Sequence, residues 1–432
     1  MRIALVIEHF DATRGAAEHL AVWLANALAT RGHEVHVVCH DVSSRINRYR
    51  QATLRASHDA DLSFRAHPPP EVAHEGIHLH KLKGMRVNTG IGFRRFGMRA
   101  RQWCNKYKPD VVHSLTVAFP GDVYQPCAGV YAAMQNQAAA SRATETGATL
   151  KRVLLSLSGK QRTLLTLEKR AALANAVRRP REPRRIICQC SMMVEQFEQH
   201  YGVGPPRIVQ LTTPHMEIPG SPGRPWSPEK AAEERAWFRG HFRLAPADRV
   251  ALFVGHDFRR KGLRYAIETI SRSQNNWKLL VVGLGKAREY VELADLLGLG
   301  DQNEPGKQRV LFVGPTREME RVYAAADALL LPTFYDPFGL VGIESLAHGL
   351  PVISTEYLGS KDLVRAHDAG SIVAAPRAVE EMARALDALP DRGTPQLDAL
   401  ARRAQRAVAG QTADQYLATL LSLYDAVRRE RG

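Results

Sequence analysis

"FYDPFGLVGIESLAHGLPVIS", residues 334–354, is apolar almost throughout after Asp336, yet Glu344 stands in its middle, eight positions beyond that first acid. Pro337 cannot lie deep inside a helix, so a helix is expected from Phe338 or Gly339. Gly349 should end it, and Leu350–Pro351 should lead into a strand. Leu340, Ile343 and Ala347 share one stripe of that helix and are expected to pack on a sheet. Glu344 falls beside the stripe, with Val341 and His348 as helical neighbours, and Asp336 lies just before the helix start. Both acids can therefore face one crevice. An enclosed carboxylate without donors costs on the order of several kcal/mol, so Glu344 needs partners, which the two hydroxyls of a ribose would supply. The same spacing also fits a glutamate facing water.

Working outward, the helix is one element of a repeating plan. "RVALFVGHDFRRKGLRYAIETISRSQNNWKLLVVGLGK" reads as strand Val250 to Val254, a basic glycine loop, a helix with Tyr265 and Ile270 inward, and strand Lys278 to Val282. "RVLFVG", "REMERVYAAA", "DALLLP" and "PVIST" continue the alternation. The first half opens the same way: residues 3–7 form a strand, a glycine loop follows, and Leu20, Leu24, Ala27 and Leu28 mark a helix closed by "RGHE". Strands are expected in "PDVVHSLT", "GDVYQP" and "RRIICQCS", with a helical stretch over about 133–178. Apolar runs buried on both faces and alternating with helices indicate two doubly wound, Rossmann-like α/β domains with ligands at strand carboxyl ends, in a cleft between them. The proline- and glycine-rich stretch from Tyr201 places the hinge near Gly204 to Pro206. The expected division is 1–205, 206–411, and a C-terminal helix over 412–432 (Tyr416, Leu420, Tyr424) crossing back toward the first domain.

At 432 residues the chain is too long for one ordinary core. No apolar run approaches the ~18 residues of a membrane span, and Glu8 interrupts the apolar opening, which reads as a strand rather than a signal sequence. A cytoplasmic protein is expected. The five cysteines are scattered, which fits reduced thiols in a reducing compartment. Lys plus Arg number 59 against 44 Asp plus Glu, a formal charge of +15. The segment from Gly76 to Pro109 holds no acid and carries Lys81, Lys83, Arg86, Arg94, Arg95, Arg99, Arg101, Lys106 and Lys108. Arg178, Arg179, Arg181, Arg184 and Arg185 form a second cluster. Such fields attract phosphate-rich partners or are solvated basic surfaces. Phe93, Phe96 and Trp103 lie in the first segment without a nucleic-acid motif, so no nucleic-acid partner is expected.

In "VGHDFRRKGLRYAIE", Arg259, Arg260 and Lys261 precede a helix whose N-terminus already favours an anion. Cations there oppose the helix dipole by ~0.3–1 kcal/mol each, a cost that a bound anion offsets. A Walker-type loop is excluded, since no GxxxxGK run is present.

Asp336, Phe338, Gly339 and Glu344, with Gly349 and Pro351 after them, resemble the acid–seven–acid signature of family 4 retaining glycosyltransferases, enzymes of the GT-B fold. "VGHDFRRKG" is similar to that family's diphosphate loop, and the loop around Gly15, "RGHEV", "DVVH", the hinge and the terminal helix follow its plan. The resemblance implies a metal-independent hexosyltransferase taking a nucleotide-diphosphate sugar, a UDP-sugar, with no further cofactor. Glu344 would hold the ribose, Asp336 would contact the transferred sugar, and Arg260 and Lys261 would stabilise the diphosphate. Gly15, Arg259, Thr316, Phe338, Gly339, Leu340, Gly359 and Ser360 would complete the donor site, with backbone N–H groups of 358–360 assisting. "GDVYQPCAGVYAA" and "DFRRKG" resemble the lipopolysaccharide-core glucosyltransferase branch. That branch implies cell-envelope biosynthesis, a glycan or glycolipid acceptor, and peripheral attachment through 76–109 to the anionic inner face of the cytoplasmic membrane.

Three departures stand out. Asp336 is one methylene shorter than the family's usual glutamate, His256 stands where arginine is frequent, and no His or Asp in "DVYQPCAGVYA" offers a second catalytic group. Asp59 and Asp61 in "DADL" have the spacing of a manganese site in another glycosyltransferase fold, but no apolar strand precedes them, so no metal is expected. His58, His67, His74, His78 and His80 read as surface residues. Two alternatives remain: another GT-B enzyme, such as a nucleotide-sugar epimerase or a phosphorylase-like protein, and a non-catalytic basic binding module.

Overall fold

A computed structural model describes residues 1–12, 14–42, 76–82, 87–174, 183–214, 227–300, 308–316 and 318–431. The readings of Asp59, Asp61, His58, His67, His74, Lys83, Arg86, Arg178, Arg179 and Arg181 fall outside these. The chain divides into two compact units, one of residues 1–133, 152–223 and 413–432, the other of 134–151 and 224–412.

The first unit is built on a parallel sheet of β1 (Arg2–Val6), β3 (Glu34–Cys39), β5 (Ile77–Lys81), β6 (Val111–Ser114), β7 (Val123–Tyr124), β8 (Arg185–Cys188) and β9 (Ile208–Gln210). Their order is β5-β3-β1-β6-β7-β8-β9, with a small pair, β2 (His9–Phe10) and β4 (Asp41–Val42), beside it. Ile3 to Val6 are fully buried, as an apolar run covered on both faces must be. The helix Ala16–Thr30 buries Leu20, Leu24 and Leu28, one residue per turn, and Gly32 at φ 78° turns the chain into β3. The helical region expected as one stretch is three helices, Tyr131–Ala140, Glu145–Leu157 and Gly159–Ala172. Local side chains cause the breaks: the Thr144 hydroxyl accepts the Gly147 N–H at 3.1 Å, and Ser158 caps the third helix. β9 pairs with β8, so the first sheet continues beyond Gly204 to Pro206. The helix Ala413–Arg429 completes this unit, with Tyr424 Oη 2.6 Å from His113 Nδ1 and Tyr416 Oη donating to Gln125 at 3.3 Å.

The second unit holds β10 (Arg249–Val254), β11 (Trp277–Val282), β12 (Val310–Gly314), β13 (Ala328–Leu331), β14 (Val352–Thr355) and β15 (Gly370–Val373), all parallel, in the order β12-β11-β10-β13-β14-β15. Tyr265 and Ile270 are buried on the helix Leu263–Arg272 as expected. The order reverses between β10 and β13, the switch point outside which ligands bind in sheets of this type. The loops leaving those two strands are residues 255–262 and 332–339, which carry the basic triplet and Asp336. Both units are therefore Rossmann-like α/β folds. Among the described residues no helix is long and apolar enough to cross a membrane.

Candidate active site

The two loops at the switch point of the second unit are held against each other by one backbone bond and one from the Arg260 guanidinium. Phe334 N–H donates to Arg260 O at 2.8 Å, and Arg260 Nη1 donates to Tyr335 O at 2.6 Å. Gly262 begins the following helix at φ 79°, and a side chain there would start 1.8 Å from Pro332 O, so only glycine fits. This turn carries Lys261 inward. Its ammonium forms an ion pair with Asp336, each residue being 7% exposed. Burial pulls the Lys261 pKa down, and the Asp336 carboxylate pushes it back up.

Asp336 is fixed from the other side. Its N–H donates to Tyr357 O at 2.9 Å, and its carbonyl accepts the Gly359 N–H at 2.7 Å. The helix then starts at Leu340, with Gly339 as its cap at φ 61°. The stripe it buries is Gly342, Ile343, Ser345 and Leu346, not the expected Leu340, Ile343 and Ala347. Leu340 and Ala347 are half-buried, while Gly342 lies against Ser360 and Leu358 so closely that a side chain there would collide with the Ser360 hydroxyl. Ser360 is 1% exposed, and its hydroxyl finds no hydrogen-bond partner among the described residues.

Glu344 is half-buried and close enough to Lys261 and Asp336 for both to act on its charge. Its pKa is raised, chiefly by burial and further by Asp336, against the lowering effects of the Tyr323 hydrogen bond and Lys261. The Tyr323 hydroxyl donates to Glu344 Oε2 at 2.5 Å, and its ring stacks on His348 with centroids 4.8 Å apart. The expectation that every partner of Glu344 must come from a ligand is thus corrected: one carboxylate oxygen already has a donor. Tyr323 was not visible from the sequence, because the contact joins residues 21 positions apart on two helices rather than neighbours on one helix.

The basic triplet diverges. Lys261 turns inward, Arg260 lies half-buried with Nε 3.4 Å from Asp257, and Arg259 is exposed with Nη2 3.5 Å from Glu289. A cavity of about 340 Å³ opens on the side of Arg259 and Arg260, lined also by His256, Lys286, Arg142 and Lys151. The last two come from the 134–151 segment, which belongs to this second unit although the expected division puts it within 1–205. Backbone donors are fewer than expected, since Leu358 N–H is bonded to Thr355 O and Gly359 N–H to Asp336 O. The Thr316 hydroxyl accepts Glu318 N–H at 3.0 Å, at the start of the helix Met319–Ala325. Phe338 is buried beside Asp336 in sequence. Gly15 belongs to the first unit, at the start of the helix Ala16–Thr30. Among the described residues no group of His, Cys, Asp and Glu is gathered as a metal site requires.

Residues 15–214 match the family Glycosyltransferase Family 4, and residues 248–391 match Glycosyl transferases group 1. Each half of the chain thus matches a glycosyltransferase model. The lipopolysaccharide glucosyltransferase WaaG of Escherichia coli (strain K12) is 29% identical over 193 residues, 44% of this chain and 48% of that one. A D-inositol 3-phosphate glycosyltransferase of Rhodococcus jostii (strain RHA1) is 32% identical over 221 residues, 48% of this chain and 45% of that one. In these matches the chain spans about half the length of its curated relatives. The crystal structure of WaaG, a glycosyltransferase involved in lipopolysaccharide biosynthesis, superposes with a TM-score of 0.67 at 21% identity, covering 99% of this chain and 98% of that one. That likeness shows the GT-B type of fold, built of two Rossmann-like units.

Proposed function

We propose that this chain is a retaining, metal-independent glycosyltransferase that moves a sugar from a nucleotide-diphosphate donor, a UDP-sugar, to a glycan or glycolipid acceptor. The observation that carries the reading is the buried Lys261–Asp336 ion pair, with Glu344 beside it, at the switch point of the second unit. In such a transfer the bond from the anomeric carbon to the phosphate oxygen breaks first. Negative charge grows on the departing diphosphate, and Lys261 and Arg260 stabilise it. Each preorganised donor of this kind typically contributes ~2.7–4 kcal/mol. Asp336, held rigid by Tyr357 and Gly359, faces the transferred sugar. Glu344 retains one oxygen for the ribose, and the Tyr323 bond aims it. The acceptor hydroxyl adds on the face from which diphosphate leaves and gives its proton to the leaving phosphate oxygen, so the step requires no protein base.

The acceptor in this reading is membrane-anchored, with lipopolysaccharide core as its class, and the enzyme works peripherally at the inner face of the cytoplasmic membrane. Support comes from the helix Gly90–Tyr107, whose exposed side carries Arg94, Arg95, Arg99 and Lys106 together with Ile91 and Met98, 59% and 56% exposed. The deciding experiment offers the purified protein a panel of nucleotide-sugars and scores slow donor hydrolysis. Cleavage of one donor, abolished by Lys261→Ala, is expected; silence across the panel would leave a binding module. Co-sedimentation with anionic vesicles tests the membrane part separately.

A further inference from the structure

The residues around the cavity beside Arg259 all belong to the second unit, and none of Lys261, Asp336 and Glu344 lines it. Its two sides are held by bonds in which the Lys261–Asp336 pair takes no part. On one side His256 Nδ1 accepts the Leu284 N–H at 3.2 Å, which ties the loop after β10 to the loop after β11. Gly285 permits that approach, since a side chain there would start 2.5 Å from the Phe258 ring. Lys286 is exposed on the same loop. On the other side Arg377 Nη2 donates to Ala140 O at 3.2 Å and to Arg142 O at 2.6 Å. Ala140 ends the helix Tyr131–Ala140, where the last carbonyls have no donor within the helix. Arg377 thereby fixes the segment that presents Arg142 and Lys151.

Five cations, Arg142, Lys151, Arg259, Arg260 and Lys286, surround this space against two carboxylates, Asp257 and Glu289. Both carboxylates are engaged, Asp257 with Arg260 and Glu289 with Arg259. Arg142, Lys151 and Lys286 have no ion-pair partner among the described residues, and Arg142 Nε has no hydrogen-bond acceptor among them. Like charges around one concavity repel, and its walls focus their field, so an anion is the ligand that offsets the cost.

The count of free cations decides the chemistry of that anion. A carboxylate brings a single charge. A phosphate monoester brings about −1.5 to −2 charges at neutral pH and three acceptor oxygens, enough to bridge a guanidinium and two ammonium groups. At about 340 Å³ the cavity stands at the small end of ligand pockets, which run from about 300 to 1,000 Å³, so it suits a small ester rather than a second nucleotide-sugar. We propose that this cavity is a second anion site, apart from that of the donor diphosphate, in which Arg142, Lys151 and Lys286 hold a free, small phosphate monoester. The ester modulates the enzyme without entering the reaction, because the cavity is lined by neither Lys261 nor Asp336, on which the transfer turns. Arg259 and Arg260 connect the two places, since they share one loop with Lys261.

The test is phosphorus-31 NMR on the full chain with inorganic phosphate, glycerol 3-phosphate and glucose 6-phosphate in turn. At least one of the esters should bind the wild type and stay bound at saturating UDP. Lys286→Ala, at an exposed loop position where truncation leaves the fold intact, should weaken it at least fivefold, as should Arg142→Ala. Lys286→Glu should weaken it at least tenfold. Isothermal titration with UDP should give wild-type affinity in all three variants, which also checks their folding. Failure of both esters to bind, wild-type ester affinity in the variants, or displacement of the ester by UDP would overturn the proposal. So would recovery of the ester in a sugar-transfer product, which would make it the acceptor. Ester binding by a protein that takes no UDP would overturn the donor reading instead and leave this site standing.

Discussion

Lys261 and Asp336, 75 positions apart in the chain, meet as a buried ion pair across the switch point of the second unit. A cation so placed serves folding through the pair and, in the proposed reaction, catalysis as well, and the two roles can be separated. Lys261→Ala strands the Asp336 charge and should cost about 3–5 kcal/mol of stability. It should also reduce turnover by ~100- to 1,000-fold. In the double variant Lys261→Met/Asp336→Leu, chemical denaturation should show most of the stability restored, while donor turnover stays lost. Recovery of turnover in the double variant would refute the assignment.

Tyr323→Phe removes one hydroxyl. Glu344 loses the bond that lowers its pKa, so the carboxyl should titrate at higher pH than in the wild type. Donor affinity at neutral pH should fall, by the ~1–3 kcal/mol of an unsatisfied buried group, and its pH profile should move upward. Isothermal titration with UDP at several pH values reads both.

Gly262→Ala places a side chain in a left-handed conformation against Pro332 O. The backbone penalty is about 1–2 kcal/mol before any clash, and the loop carrying Arg260 and Lys261 must move to relieve it. A lower melting temperature with weakened UDP binding is the expected pair of results. Gly393, also at positive φ but with open space around it, provides the control: Gly393→Ala should affect stability alone.

Glu320 is 6% exposed, neither carboxylate oxygen has a hydrogen-bond partner among the described residues, and burial lifts its pKa from 4.5 to about 7. Because the folded-state value is the higher one, its contribution to stability is fully present below pH 4.5 and is lost as pH rises through about 7. Glu320→Gln should match the wild type in acid and exceed it at pH above 7, by on the order of 1–3 kcal/mol. Urea denaturation at the two pH extremes measures the difference.

Individual elements were legible in the sequence because burial leaves a local pattern. The run Val250 to Val254 and a helix beginning just after Pro337, expected from Phe338 or Gly339 and found from Leu340 with Gly339 as its cap, follow from residues within one turn or strand. The inward stripe of that short helix differs from the one its spacing predicts, since Gly342 packs against Ser360 and Leu358, residues from a separate loop. Tyr323 beneath Glu344, Gly359 bonded to Asp336, and Arg142 beside Lys286 were illegible for the same reason. Each is a meeting of distant segments, and no periodicity encodes it. The departure at His256 takes on a structural role, its Nδ1 accepting Leu284 N–H at 3.2 Å.

The last helix of the chain supplies Tyr424 to His113, 311 positions earlier. During synthesis, therefore, the first sheet emerges from the ribosome long before its covering helix exists. At roughly 5–20 residues per second, the stretch between residues 223 and 413 keeps that helix waiting on the order of ten seconds or more. Through that interval the nascent amino-terminal unit shows the apolar surface that Tyr416, Leu420 and Tyr424 later cover, which makes it a natural client for chaperones that shield unfinished chains.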